Sequence, residues 1–239
     1  MYKENPIICA IDTRDIDFAL QLSSQLQGKV GAIKLGLEFF TLFGVEGVKR
    51  VTRDGEIPLF LDLKFFDIPN TVAGAIKSSM ACKPFLLTVH ATGGSEMIKR
   101  SVEAAREESE KLSIETPKII AVTMLTSLGK DYLQTVGIND TMPNQVARLA
   151  GLASESGADG FVCSGQEVRA LNDNLGNKFT YVVPGIRSLS INSDDQKRVV
   201  TPKQAMESGA SFIVMGREIT GSENPARTVD NILEELNKN

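Results

Sequence analysis

Three ionisable residues, Asp62, Lys64 and Asp67, lie within six positions of the stretch LDLKFFDIPNT (61–71). Apolar neighbours surround them: Leu61, Leu63, Phe65, Phe66 and Ile68. In a strand, residues two apart face the same side. Asp62 and Lys64 therefore point together, and Leu61, Leu63 and Phe65 face the other way. A second lysine, Lys34, sits inside the apolar run GAIKLGL (31–37) and can reach the same space from an adjacent strand. A structural ion-pair network is one reading of such a cluster. Desolvation tends to cancel the attraction between buried charges, so stability alone is a poor reason to keep them there. Clustered charges in a cleft are the usual means of tuning protonation and stabilising charge at a reacting centre.

Two further stretches carry matched chemistry. VVPGIR (182–187) and VMGRE (214–218) each place a glycine and an arginine just beyond an apolar run. Glycine lets backbone N–H groups approach anionic oxygens, and arginine supplies a bidentate fork. The pair Arg187 and Arg217 reads as a phosphate cradle. The polar segment between them, SLSINSDDQKRVVTP (188–202), is long for a connection in a compact domain. It is expected to act as a lid, with Gln196 placed to touch a ligand. His90 is the only histidine, and no thiol or second histidine stands near it in sequence. A structural hydrogen-bonded role suits it better than metal binding or a nucleophilic triad.

Eight short apolar runs position these residues: 7–13, 31–37, 58–65, 85–91, 118–125, 158–164, 179–186 and 211–218. They alternate too little to have a wet face, as expected of strands buried on both sides. Stretches of helical spacing separate them. Phe18, Leu22 and Leu26 are expected on one helix face, and Met97, Ser101, Ala104 and Ala105 on another. Thr201 before Pro202 is a helix-start pattern. ESGADGFVCS (155–164) resembles ESGASFIVMG (207–216), each a helix end, a Gly-Ala turn and a buried strand. Eight βα units over residues 1–239 predict an α/β protein, a (β/α)8 TIM barrel forming one domain. A doubly wound open sheet would put a glycine-rich turn after the first strand, where this chain has Asp12-Thr13-Arg14. Barrel active sites lie at the carboxyl ends of strands. Read in order, those ends give Asp12, Lys34, Asp62 with Lys64, His90, Thr126, Ser164, Arg187 and Arg217.

Composition sets the remaining bounds. Net charge is −4 with both signs interspersed, so no basic stripe points to nucleic acid or a membrane surface. No apolar run reaches the roughly 18–20 residues of a membrane helix. An apolar run beginning at Pro6 leaves no room for a signal peptide. Cys9, Cys82 and Cys163 are odd in number and far apart, as expected of reduced packing residues in a cytoplasmic protein.

LDLKFFDIPNT closely resembles the signature of the orotidine 5′-phosphate decarboxylase family, in which D-x-K-x-x-D-I-x-x-T recurs. The resemblance extends in order through AID (10–12), IKLGLEFF (33–40), VHATGG (89–94), AVTMLTS (121–127), VCSGQE (162–167), VPGIR (183–187), DQKRVVTP (195–202) and VMGR (214–217). It implies decarboxylation of a nucleotide substrate without metal or cofactor, in a homodimer with shared active sites. Lys64 would be the proton donor, within an alternating array of Asp62, Lys64, Lys34 and an Asp67 from the second subunit. Ile68 and Thr71 would also reach the neighbouring site. Asp12 and Lys34 would hold ribose hydroxyls, Thr126 the pyrimidine, and Arg187, Gln196, Gly216 and Arg217 the phosphate. Phe66 stands where many relatives carry histidine, which is expected to alter packing only. Related metal-using sugar-phosphate decarboxylases place an acidic residue at the second strand end, where this chain has Lys34. The alternatives are such a metal-dependent or aldol-type barrel enzyme, or a catalytically silent nucleotide-binding barrel.

Overall fold

The computed structural model describes residues 5–129, 131–187 and 200–237. Its elements run β1 (Ile7–Ala10), α1 (Ile16–Leu26), β2 (Ala32–Gly36), α2 (Leu37–Thr52), β3 (Leu59–Phe65), α3 (Pro69–Ser79), β4 (Leu86–His90), α4 (Gly94–Leu112) and β5 (Lys118–Val122). They continue with α5 (Asp131–Thr135), α6 (Met142–Glu155), β6 (Gly160–Val162), α7 (Val168–Leu175), β7 (Thr180–Val183), α8 (Pro202–Glu207), β8 (Phe212–Met215), α9 (Arg217–Thr220) and α10 (Pro225–Asn237). Each of the eight apolar runs supplies one strand. Adjacent strands pair in parallel, and β8 returns to β1 to close the barrel.

Strand alternation divides the apolar side chains into two cores. One set points into the barrel: Ile8, Ala10, Ala32, Phe60, Leu86, Ile120, Val122, Val182 and Val214 among others. At the amino-terminal end Phe85 and Phe212 meet edge to face, with centroids 5.8 Å apart. These rings help pack the barrel floor, where Lys118 Nζ donates to Thr180 Oγ1 at 2.8 Å, and the barrel's other end is where active sites of this fold lie. The intervening residues, such as Ile7, Cys9, Leu61, Leu63, Leu87 and Val89, face the helices and form the larger core. The three cysteines are free and buried. Burial pushes the Cys9 thiol up to about 12 and the Cys82 thiol up to about 11, so both act as packing groups.

Local signals fix the helix ends. Asp15 caps α1, its Oδ1 accepting from the backbone N–H groups of Asp17 and Phe18. Thr201 and Gln204 form a reciprocal capping box at the start of α8. The repeated Glu-Ser-Gly-Ala turns both place a glycine at positive φ, Gly157 at 91° and Gly209 at 100°, a conformation open to glycine at little steric cost. Met97, Ser101, Ala104 and Ala105 are buried as expected. On α1 the buried face is Ala19, Leu22, Ser23 and Leu26, whereas Phe18 is 39% exposed. Phe18 lies one position off the sheet-facing stripe, which Ala19 occupies.

Candidate active site

Four strands build the site from one rule of alternation. The inward residues Ala10, Ala32, Phe60 and Leu86 form an apolar layer. Two positions further along the same strands come Asp12, Lys34, Asp62 and Thr88. Every chemical group of that upper layer thus stands on a packed apolar one. Lys34 Nζ lies 3.2 Å from Asp12 Oδ1 and 3.7 Å from Asp62 Oδ2. Lys64 Nζ donates to the same Asp62 Oδ2 at 2.8 Å. The outcome is a row of alternating sign, Asp12, Lys34, Asp62, Lys64. Its centre is the most enclosed part: the side chains of Lys34 and Asp62 are 12% and 11% exposed, against 30% for Lys64 and 59% for Asp12. Gly36 leaves room for the inner ammonium, because a Cβ there would stand 3.3 Å from Lys34 Nζ.

Lys64 does not join this row by regular alternation. Leu61 pairs with Leu87 on β4, but Phe65 pairs with Val89, so four steps on β3 match two on its partner. The surplus forms a bulge, which re-aims a side chain at the price of ladder pairing. Lys64 sits at φ +49° within it, a left-handed conformation that disfavours a residue bearing Cβ by about 1–2 kcal/mol. Its backbone N–H donates instead to Thr88 Oγ1 at 2.8 Å. Thr88 Oγ1 in turn donates to Asp62 Oδ1 at 3.1 Å. Asp62 and Lys64 therefore share one space, as the sequence predicts, through a bulge the sequence does not announce.

Two cavities meet at the charged row. A slot of about 140 Å³ is lined by Lys34, Asp62, Lys64 and Thr126, with Phe60, Val122, Val182 and Val214 as apolar walls. Beside it a cavity of about 280 Å³ is lined by Asp12, Lys34, Asp62, Arg187, Gly216 and Arg217. Lys34 and Asp62 belong to both. Arg187 Nε is buried with no hydrogen-bond partner among the described residues, an arrangement expected where an anionic ligand completes the bonding. The Arg187 backbone N–H is anchored on the Val200 carbonyl at 3.2 Å. Gly185 has φ 78°, which turns the chain into this rim. A larger recess of about 400 Å³ between α6 and α7 contains none of the row.

The structure thus gathers Asp12, Lys34, Asp62, Lys64, Thr126, Arg187, Gly216 and Arg217. It does not gather Asp67, Ile68 and Thr71 into the same chain's cavities. Asp67 and Thr71 are exposed, Ile68 is 66% exposed, and Asp67 Oδ1 accepts from the Ile68 backbone N–H at 2.6 Å. Gln196 and residues 188–199 of the expected lid segment 188–202 lie outside the described residues. His90 packs beside the site: its Nδ1 is 3.1 Å from Thr92 Oγ1, and its ring centroid lies 5.7 Å from that of Phe66. Burial, and then the positive charge of Lys64, holds His90 below the usual imidazole range. Among the described residues no group of three or more His, Cys, Asp or Glu could hold a metal ion. Sequence reasoning missed Thr88. The signal was present, since Thr88 lies two positions beyond the inward Leu86, but the more conspicuous His90 at the strand end drew attention past it.

A family model described as orotidine 5′-phosphate decarboxylase / HUMPS matches residues 5–232. The orotidine 5′-phosphate decarboxylase of Rhodospirillum rubrum is 50% identical over 233 residues, covering 98% of this chain and 94% of its own. That of Gluconobacter oxydans is 46% identical over 99% of both chains. The crystal structure of orotidine 5′-phosphate decarboxylase from Lactobacillus acidophilus superposes with a TM-score of 0.87 at 37% identity, covering 98% of this chain and all of that one.

Proposed function

The chain belongs to the orotidine 5′-phosphate decarboxylase / HUMPS family, and from that premise we propose that it converts orotidine 5′-phosphate to uridine 5′-phosphate and CO2. The whole chain serves as one catalytic domain. The observation that carries this reading is the Lys64 ammonium, held at 2.8 Å by Asp62 at the boundary between an apolar slot and an arginine-rimmed cavity. A nucleotide has the same division. The pyrimidine enters the slot, with Thr126 against its polar edge. Asp12 and Lys34 meet the ribose hydroxyls where the two cavities join. Arg187, Gly216 and Arg217 hold the phosphate, and the family resemblance adds Gln196 to them. Loops after the seventh and eighth strands commonly bind phosphate in this fold.

The chemistry needs no electron sink beyond the protein's own charges. Loss of CO2 from C6 leaves an electron pair on that carbon. A fixed ammonium beside it stabilises the developing negative charge and then supplies the proton. Asp62, 2.8 Å away, aims that ammonium. Asp62 also faces the substrate carboxylate before cleavage. Like charges about 4 Å apart repel by about 4 kcal/mol at an effective dielectric near 20. Relief of that repulsion corresponds to roughly a thousandfold in rate. The rest comes from the preorganised cation and from phosphate-binding energy spent on closure.

We further propose a cytoplasmic homodimer with shared sites. Asp67, Ile68 and Thr71 are exposed at the end of β3 and the start of α3, where a second subunit can receive them. Large apolar side chains are exposed on neighbouring elements: Leu37 (58%), Leu42 (50%) and Phe66 (62%). Exposed apolar side chains of this size suit a surface that a second subunit covers. No helix among the described residues is long and apolar enough to cross a membrane, and the three buried, unpaired cysteines suit a reducing compartment.

Purified protein is expected to release CO2 from orotidine 5′-phosphate, unaffected by chelators, and Lys64→Ala is expected to lose on the order of a thousandfold or more. A wild-type protein that binds the nucleotide without turnover would leave a sensor. Chelator sensitivity, or trapping of Lys64 by borohydride with a carbonyl substrate, would move it to the metal-dependent or aldol-type enzymes. Mixing inactive Lys64→Ala and Asp67→Ala subunits is expected to restore activity, because each hybrid dimer regains one intact site. Proven exchange without recovery contradicts sharing. Arg217→Ala is expected to lose about 10²-fold or more in kcat/KM toward the nucleotide, and far less toward the phosphate-free nucleoside. Equal losses on both would remove Arg217 from the phosphate role.

A further inference from the structure

The Thr88 side chain is wholly buried on β4, and both hydrogen-bonding partners of its hydroxyl belong to the site. It accepts from the Lys64 backbone N–H at 2.8 Å and donates to Asp62 Oδ1 at 3.1 Å. A hydroxyl carries a single proton. The amide can only donate, so that proton must go to the carboxylate, which fixes the direction of both bonds. We propose that Thr88 is a positioning residue for decarboxylation, tying the left-handed backbone of Lys64 to the orientation of Asp62. This inference rests on the function proposed above.

The argument starts from the bulge. Widening β3 by two residues removes the Lys64 N–H from the sheet ladder. Left without an acceptor at the inner end of a pocket, that N–H would be an unsatisfied polar group. Thr88 supplies the acceptor and so stabilises the one backbone conformation that turns Lys64 inward. The second bond acts on Asp62. With Oδ1 engaged by Thr88, Oδ2 faces both ammonium groups, Lys64 at 2.8 Å and Lys34 at 3.7 Å. Rotation of the carboxylate away from either lysine would break the hydroxyl bond. One buried oxygen thereby couples strand geometry to the spacing of three charges. Thr88 lines neither cavity, so it touches no part of the nucleotide. Its loss is expected in the chemical step and not in substrate binding.

Thr88→Val keeps the branched shape and removes the hydroxyl; Thr88→Ser keeps the hydroxyl and removes the methyl. Thr88→Val is expected to lower kcat by about 5- to 100-fold, the range for one lost bond to a buried or charged group, with KM changed little. Exchange of the C6 hydrogen of uridine 5′-phosphate in D2O, which also requires Lys64 in place, is expected to slow by a similar factor. Thr88→Ser is expected to restore most of both rates. Unchanged kcat in Thr88→Val, a loss confined to KM, or equal losses in the two variants would overturn the proposal. Should Thr88→Val fail to fold, Thr88→Ala against Thr88→Ser makes the same comparison. A wild-type enzyme without CO2 release would instead defeat the functional reading. The crystal structure of Thr88→Val tests the linkage even then: a changed Lys64 backbone or a rotated Asp62 carboxylate supports it, and neither having moved overturns it.

Discussion

Asp62 holds the site together by accepting hydrogen bonds from Lys64 and Thr88 and pairing its charge with Lys34. Its Oδ2 meets Lys64 at 2.8 Å and Lys34 at 3.7 Å, and its Oδ1 takes the Thr88 hydroxyl proton at 3.1 Å. With only 11% of its side chain exposed, this carboxylate has little water to offset the burial of its charge. Lys34 has a second acceptor in Asp12 at 3.2 Å, whereas the Lys64 ammonium is paired with Asp62. Each charge in the row is therefore stable because of its neighbour of opposite sign. A network that only stabilised the fold would gain little by this arrangement, because desolvation consumes most of the attraction. A network that must keep one ammonium charged and motionless beside a reacting carbon gains preorganisation.

The barrel makes the arrangement affordable. Apolar side chains fill its lower interior, and the edge-to-face pair Phe85 and Phe212 packs its floor. The ion-paired row occupies the upper layer, where strand ends reach solvent on one side. Closure of eight parallel strands brings residues from β1, β2 and β3, which are distant in sequence, within ion-pairing distance. The same closure sets the loops after β7 and β8 next to β1, so the arginine rim opens directly onto Asp12. The charged row and the arginine rim stand side by side as a consequence of strand order.

Most of this was legible in the sequence, for physical reasons. Buried parallel strands demand unbroken apolar runs, and all eight were visible. Lysines inside such runs, and glycine–arginine pairs beyond them, were departures from that demand and so pointed to the site. The bulge at Lys64 was not legible. LDLKF reads as a regular strand, and only pairing with β4 shows that two residues are surplus. Thr88 was hidden for a related reason, since threonine is an ordinary strand residue and its role depends on that bulge. Phe18 fitted the helical period of α1, but the buried stripe runs through Ala19, Leu22, Ser23 and Leu26 instead. Asp67, Ile68 and Thr71 carry the strongest part of the signature yet stand outside this chain's cavities.

The central claim is that the Lys64 ammonium stands where electron density appears when CO2 departs. Crystallography of the protein with uridine 5′-phosphate reads this directly. The account predicts the pyrimidine in the slot beside Thr126, with Lys64 Nζ about 3–3.5 Å from C6, the separation of a near-attack arrangement, and still paired with Asp62. A nucleotide bound with its base away from Lys64, or a Lys64 side chain turned outward among the helices in the complex, would contradict it.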